Sequence, residues 1–367
     1  MNQVRLRLPA LAMAAVAATA LSACASTTAK TGSTGSGSGS SGGSAPTNAK
    51  IAFLMPDIAS TRYELFDKPL FVDKMKQLCS GCQVLYQNAE GDASKQQQQQ
   101  ANSVIAQGAK VIVIDSVDSA AAATIVQTAQ AKGIAVISYD RPIPAKKADY
   151  YVSFDNQKIG ALIAQSLVDH LKKTGAKGGL LQVNGSPTDA AAGLIKTGVH
   201  SVVDTSGLKL LAEYDTPMWQ PAKAQEWASG EITQFKGQIA GVVAANDGTG
   251  GGVIAAFKAA GTPVPPVTGN DAELAAAQRI VNGDQYNTIS KPIKTVAEAA
   301  AEVAYGFASG KKPAGKTTLF DTPSELFVPT VVTVANLKDT LITNGPLKAD
   351  KICTAAYAAA CKKAGVS

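Results

Sequence analysis

The chain has 367 residues, room for two domains of ordinary size, and its 46% apolar content excludes wholesale disorder. Net charge is +6, but the first 49 residues hold only Arg5, Arg7 and Lys30, leaving 31 basic against 28 acidic side chains from Lys50 onward. A near-neutral body argues against a nucleic-acid binder, which needs a clustered basic face. Aromatics are only 5% while Ala and Gly are abundant, which suits helices packed closely on a sheet.

Residues 1–24 have the three-part layout of an export signal: Arg5 and Arg7, an apolar stretch from Leu8 to Leu21, then small residues. Leu21-Ser22-Ala23-Cys24 resembles the bacterial lipobox, which implies a diacylated Cys24 as the new N-terminus. The apolar stretch is short and contains Pro9, so it does not read as a spanning helix. Residues 25–49 are rich in Ser, Gly and Thr with a single charge, the composition of a flexible tether. The expectation is an exported body, lipid-anchored to the outer face of the cytoplasmic membrane, in the periplasm or at the cell surface.

Four further cysteines remain. Outside the cytoplasm, Cys79 with Cys82 and Cys353 with Cys361 are expected as local disulfides. Cys79-Ser80-Gly81-Cys82 also fits a thioredoxin-like redox spacing, but it ends a helical stretch rather than opening one after a strand.

From Lys50 the chain alternates. Strands are predicted at 51–55, 83–86, 111–115, 134–139 and 150–154, with helices at 63–78, 94–107 and 120–132 between the first four. The rhythm restarts with helices at 157–173, 189–203, 221–233, 251–260 and 274–282, and strands at 179–183, 208–214, 241–245, 264–269 and 286–290. A long helix at 293–309 and short extended pieces follow. This is α/β architecture: two doubly wound parallel-sheet domains in tandem. The Gln run at 96–100 reads as a solvated helix face.

In open α/β sheets ligands bind at the carboxyl ends of the strands. The residues found there are Arg62 and Tyr63, Asp140 and Arg141, Asn184, Ser186 and Asp189, Trp219, Asn246 and Asp247, Asn270 and Asp271, and Lys291. Carboxylate, guanidinium and amide forks match adjacent sugar hydroxyls, and an aromatic ring packs on a sugar's C–H face. Charges of both signs in nearly equal number favour a neutral ligand. For any single Asp, a helix N-cap is an equally good explanation.

Tyr139-Asp140-Arg141, Ser153-Phe154-Asp155-Asn156, Gly185-Ser186-Pro187-Thr188-Asp189, Ala245-Asn246-Asp247, Gly269-Asn270-Asp271-Ala272 and Lys291-Pro292-Ile293 together, in this order, resemble the type I periplasmic sugar-binding proteins. Within them the match is to the D-xylose-binding members of ABC transporters. The resemblance covers Lys50 to about Thr343 and implies two domains, 50–154 with 292–323 and 155–291 with 324–367, joined by a three-strand hinge. The crossings are expected near 154–155, 290–292 and 323–325. It further implies that Arg62, Asp140 and Arg141 bind sugar from one side and Asp189, Asn246 and Asp271 from the other. Lys291 would stand at the hinge, and Tyr63 and Trp219 would sandwich the ring. Asp247 and Asn270 complete the candidate set. Three departures open the substrate beyond D-xylose to another pentose, hexose or polyol: Tyr63 and Asn270 stand where the family usually has Trp and Gln, and Ala190 and Ala191 where it usually has Asn.

The implied function is a monomeric solute-binding lipoprotein that delivers a neutral monosaccharide to an ABC permease by hinge closure. A sensor partnered with a receptor or kinase is the alternative. An extracytoplasmic glycosidase is less favoured, because Arg and Lys partners keep carboxylates ionised. No cofactor or metal is expected, since His170 and His200 sit on separate helices without ligand partners in spacing. The string from Gly310 to Thr317 matches a P-loop, but a helix precedes it and a β-like segment follows, so it reads as an exposed turn.

Overall fold

The computed structural model describes residues 47–91 and 94–366; the leader, Cys24 and the tether up to residue 46 lie outside the described residues. Apolar runs rich in β-branched residues form the strands, and helices lie between them. The first sheet holds β1 (Lys50–Met55), β2 (Gln83–Asn88), β3 (Val111–Ile114), β4 (Ala135–Tyr139) and β5 (Tyr150–Phe154) in the parallel order β2-β1-β3-β4-β5. β1, β3 and β5 are buried along nearly their whole length, because helices cover both faces of a parallel sheet. Those helices include α1 (Lys68–Leu78), α2 (Ser94–Ala106) and α3 (Ala122–Gln130). α1 is entered through a π-helical turn, Tyr63–Asp67, where a regular helix is predicted; such turns are frequent at functional sites. Phe53 anchors this layer, stacked on Phe71 at 4.1 Å and edge-on to Tyr139 at 5.4 Å.

After β5 the chain enters α4 (Asn156–Thr174) and builds a second parallel sheet in the order β7-β6-β8 from β6 (Gly179–Asn184), β7 (Leu210–Asp215) and β8 (Ile239–Ala244). α5 (Ala190–Val203), α6 (Pro221–Gln234), α7 (Asp247–Ala259) and α8 (Leu274–Asn282) accompany it. α4 and α5 touch through their backbones. A Cβ on Gly160 would fall 1.9 Å from the Ile195 carbonyl oxygen, and one on Gly198 2.0 Å from that of Gln157. The strand predicted at 264–269 is instead an extended segment beside β8, joined by a single bridge between Val242 and Val267. Pro265 and Pro266 have no N–H to donate to a ladder.

β9 (Thr288–Ser290) then leads into α9 (Ile293–Ala308), which returns to pack on α1 and the first sheet. The P-loop-like string forms the turn from α9 into β10 (Thr317–Leu319), with no strand before it. β11 (Thr322–Phe327) pairs parallel with β5 through Phe327, and β12 (Thr330–Val332) pairs antiparallel with β9. Residues 323–325 therefore lie inside the first sheet, and the third passage between the sheets comes after Phe327 rather than where it is predicted. Disulfides join Cys79 to Cys82 and Cys353 to Cys361. The second closes the tail around Ile352 and Cys361, which pack with Ile280 and Leu341.

Candidate functional site

The carboxyl ends of the two parallel sheets face each other across a narrow, largely filled cleft, with a free volume of about 30 Å³. From the first sheet's side come Arg62 and Tyr63 at the π-helical turn, and Asp140 and Arg141 after β4. From the other side come Asp189, Trp219, Asn246, Asn270 and Asp271, with Lys291 just after β9. Ten of the eleven sequence candidates thus line one cavity. Asp247 does not. It follows β8 as Asn246 does, but its fully buried carboxylate turns away from the cleft. There it accepts from Gln285 Nε2 (2.7 Å), Thr288 Oγ1 (2.9 Å) and the Glu273 amide (2.9 Å).

The two guanidiniums are held by carboxylates beneath the cleft that sequence reasoning missed. Arg62 forks onto Asp67 (2.9 and 3.1 Å) and reaches Asp140 at 3.5 Å and Asp271 at 3.9 Å. Asp67 also accepts from Tyr139 Oη. Arg141 meets Asp57 at 2.8 Å, Asp189 at 3.1 Å and Asp115 at 3.2 Å, and donates to the Ser116 carbonyl at 3.0 Å. Burial would lower both guanidinium pKa values, but neighbouring groups outweigh it: Asp140 then Asp67 around Arg62, and Tyr63, then Asp189, Asp115 and Asp57 around Arg141. Both cations are held firmly. Asp57 and Asp67 each sit five residues from Arg62 in sequence. Asp115 follows β3, and the strand-end rule would have found it had that strand been searched.

Burial raises Asp115 well above the ordinary carboxylate range, with Arg141 opposing. Burial also raises Asp189, offset by Arg141 and by the Trp219 Nε1 hydrogen bond at 2.9 Å. For Asp140 burial acts upward too, but Arg62, Lys291 and Arg141 prevail and hold it below its usual value. Gln97, expected on a solvated helix face, is buried; it donates to the Asp115 carbonyl (2.7 Å) and accepts from the Val117 amide (2.9 Å), fixing the loop under Arg141.

The cleft itself is lined by three cations (Arg62, Arg141, Lys291) and three carboxylates (Asp140, Asp189, Asp271). Lys291 Nζ lies 2.6 Å from Asp271. Asn246 uses its Oδ1 to cap Thr249 (2.8 Å), which leaves its Nδ2 as a donor. Asn270, which lines the cleft, keeps its Oδ1 buried without a hydrogen-bond partner in the protein. Asp140, Trp219 and Asp271 have φ of 58°, 56° and 101°, left-handed conformations that cost about 1–3 kcal/mol each and cluster at functional sites. Contacts also cross between the two sides at the rim: the Ser119 amide donates to the Thr188 carbonyl (2.9 Å), the Ala190 amide to Ser119 Oγ (3.1 Å), and Thr61 Oγ1 to Glu273 Oε1 (3.3 Å).

Asp247, buried, and Glu273, partly buried, are both pushed far above the usual carboxylate range. Burial, then the charges of Glu273 and Asp271, raises Asp247 to about 8; burial, then Asp271, raises Glu273 to about 7. Unfolded, both return to about 4. The folded state therefore holds the extra protons. Their contribution is full below about pH 4 and is lost as pH rises through about 7 to 8. Urea denaturation across pH 4–8 should show Glu273→Gln losing less stability with rising pH than the parent chain. Parallel curves would contradict the assignment.

Comparison with known proteins identifies the family. The profile of the family described as periplasmic binding protein domain matches residues 51–312. The chain is 35% identical over 305 residues to a D-xylose-binding periplasmic protein of Escherichia coli, covering 81% of this chain and 90% of that one. It is 29% identical over 334 residues to a multiple sugar-binding periplasmic receptor of Rhizobium radiobacter, covering 84% and 93%. Among solved structures, an ABC transporter solute-binding protein of Clostridium phytofermentans with bound β-D-glucose superimposes with a TM-score of 0.74 at 27% identity, covering 83% of this chain and 99% of that one. A match over most of the body, on this fold, places the chain in the periplasmic binding protein family, among the type I sugar-binding proteins.

Proposed function

We propose that the protein is the extracytoplasmic binding component of a sugar ABC importer, taking one neutral monosaccharide into the cleft and presenting it to a membrane permease. The observation that carries the reading is the charge-balanced ring of forked donors and acceptors contributed from both sides of one small cleft. Such a ring satisfies hydroxyls without favouring an ionic ligand, and a ligand bound by both sides stabilises closure about the three passages between the sheets. D-xylose or a related pentose is the first substrate, and another sugar or polyol the second. The domains would be 50–154 with the α9–β11 segment, and 155–291 with the tail. Cys24 would carry the lipid, and the body would act as a monomer without enzymatic activity. A sensor presenting the same sugar to a receptor or kinase rests on the same site.

Asp271→Ala tests the reading. It removes the 2.6 Å partner of Lys291 while leaving Arg62 its Asp67 and Asp140 contacts. Tryptophan fluorescence titration with neutral sugars should show saturable quenching in the parent, through Trp219, and at least 100-fold weaker binding in a variant that still folds but melts at lower temperature, because buried Lys291 loses its ion pair. Unchanged affinity would remove Asp271 from the site.

A further inference from the structure

Among the described residues, the cleft lining is polar or aromatic everywhere except on α5, where Ala191 and Ile195 face it. They stand four residues apart, on one side of the helix. Most of the polar atoms beside them are already committed. Asp189, the N-cap of the same helix, gives Oδ1 to the Ala191 amide (2.8 Å) and Oδ2 to Trp219 Nε1 (2.9 Å) and Arg141 Nε (3.1 Å). Asn156, at the start of the helix against which α5 packs, holds its Nδ2 3.4 Å from both Tyr151 Oη and Ser153 Oγ. A hydroxyl pressed on this stretch would leave water without gaining a partner, whereas a C–H edge or methyl group packs there favourably.

Ring carbons 1 to 4 of a common neutral pyranose carry oxygen and suit the forked groups of the rest of the cleft. Carbon 5 is the position that varies, bearing hydrogen in a pentose, methyl in a 6-deoxyhexose and hydroxymethyl in a hexose. Resting on the reading of the cleft as a monosaccharide site, we propose that Ala191 and Ile195 form an aliphatic subsite for the carbon-5 edge of a pyranose, selecting pentoses and 6-deoxyhexoses against hexoses. The discrimination is about 10- to 100-fold, the range in which an apolar pocket rejects an added hydroxyl.

The test is calorimetric titration of the full chain with three series matched in ring stereochemistry: D-xylose, 6-deoxy-D-glucose and D-glucose; L-arabinose, D-fucose and D-galactose; D-ribose, 6-deoxy-D-allose and D-allose. In whichever series binds, the hexose should be weaker than both others by about 10- to 100-fold. Ala191→Asn, or Ile195→Thr as a second variant, should narrow that gap to within about threefold by offering the hydroxyl a partner. A hexose that binds as tightly as its 6-deoxy relative, or a gap unchanged in both variants, would overturn the subsite while the monosaccharide reading stands. Absence of binding by all nine sugars would overturn that reading too.

Discussion

Replacing Arg141 with Ala is expected to abolish sugar binding and also to lower stability by about 3–5 kcal/mol, the cost of leaving a buried charge without its partner. The sequence alone implies only that Arg141 binds sugar. The structure places its guanidinium among Asp57, Asp115 and Asp189, all buried and within 2.8–3.2 Å. Asp115 has no other partner for its carboxylate, which burial already pushes toward protonation. Two corollaries separate charge from packing. Adding Asp115→Asn to Arg141→Ala should restore part of the stability but none of the binding. The single variant should also recover stability relative to the parent as pH falls, because raised carboxylates gain protons in the folded state. Urea denaturation at pH 5 and pH 8, paired with sugar titration, reads both. A variant with parental stability at pH 8 would contradict the account.

The second large effect comes from a residue with no side chain. A Cβ at Gly185 would fall 2.1 Å from the Trp219 ring, closer than atoms can sit, so Gly185→Ala must displace the indole. That ring cannot yield easily, because its Nε1 is tied to Asp189 Oδ2 at 2.9 Å and Trp219 holds a left-handed backbone. Moving it breaks that bond and shifts the cleft wall, so we expect at least a 100-fold loss of sugar affinity with a blue- or red-shifted Trp emission. Positional tolerance in binding sites is small, on the order of 1 Å. An unshifted emission spectrum with parental affinity would mean the ring has room that the geometry denies it.

What was legible in the sequence followed from local pattern. Ile51, Phe53 and Met55 in β1 and the Val111–Ile114 run announce a buried parallel sheet, and the polar residues after each strand announce the cleft. The misses arise where tertiary partners decide. Asn246 and Asp247 are adjacent and equally polar, yet one lines the cavity and the other is drawn down by Gln285 and Thr288, forty residues on. Gln97 reads as surface in a run of five glutamines, but one helix face meets the loop after β3. Asp115, at the end of β3, carried the strand-end signature and was passed over; Asp57 and Asp67 carry none of their own, and the folded positions of Arg62 and Arg141 reveal their use. β11 was read only as one of the short extended pieces with a crossing near 323–325, whereas its residues Ser324–Phe327 pair with β5 inside the first sheet.

The most direct test of the central claim is calorimetric titration of neutral monosaccharides against charged ligands of similar size, such as a sugar phosphate and an amino acid. The account predicts one-to-one saturation by a neutral monosaccharide with a micromolar Kd, about −8 kcal/mol, and no heat from the charged ligands. Tight binding of an anion or an amino acid, with none of any neutral sugar, would contradict it.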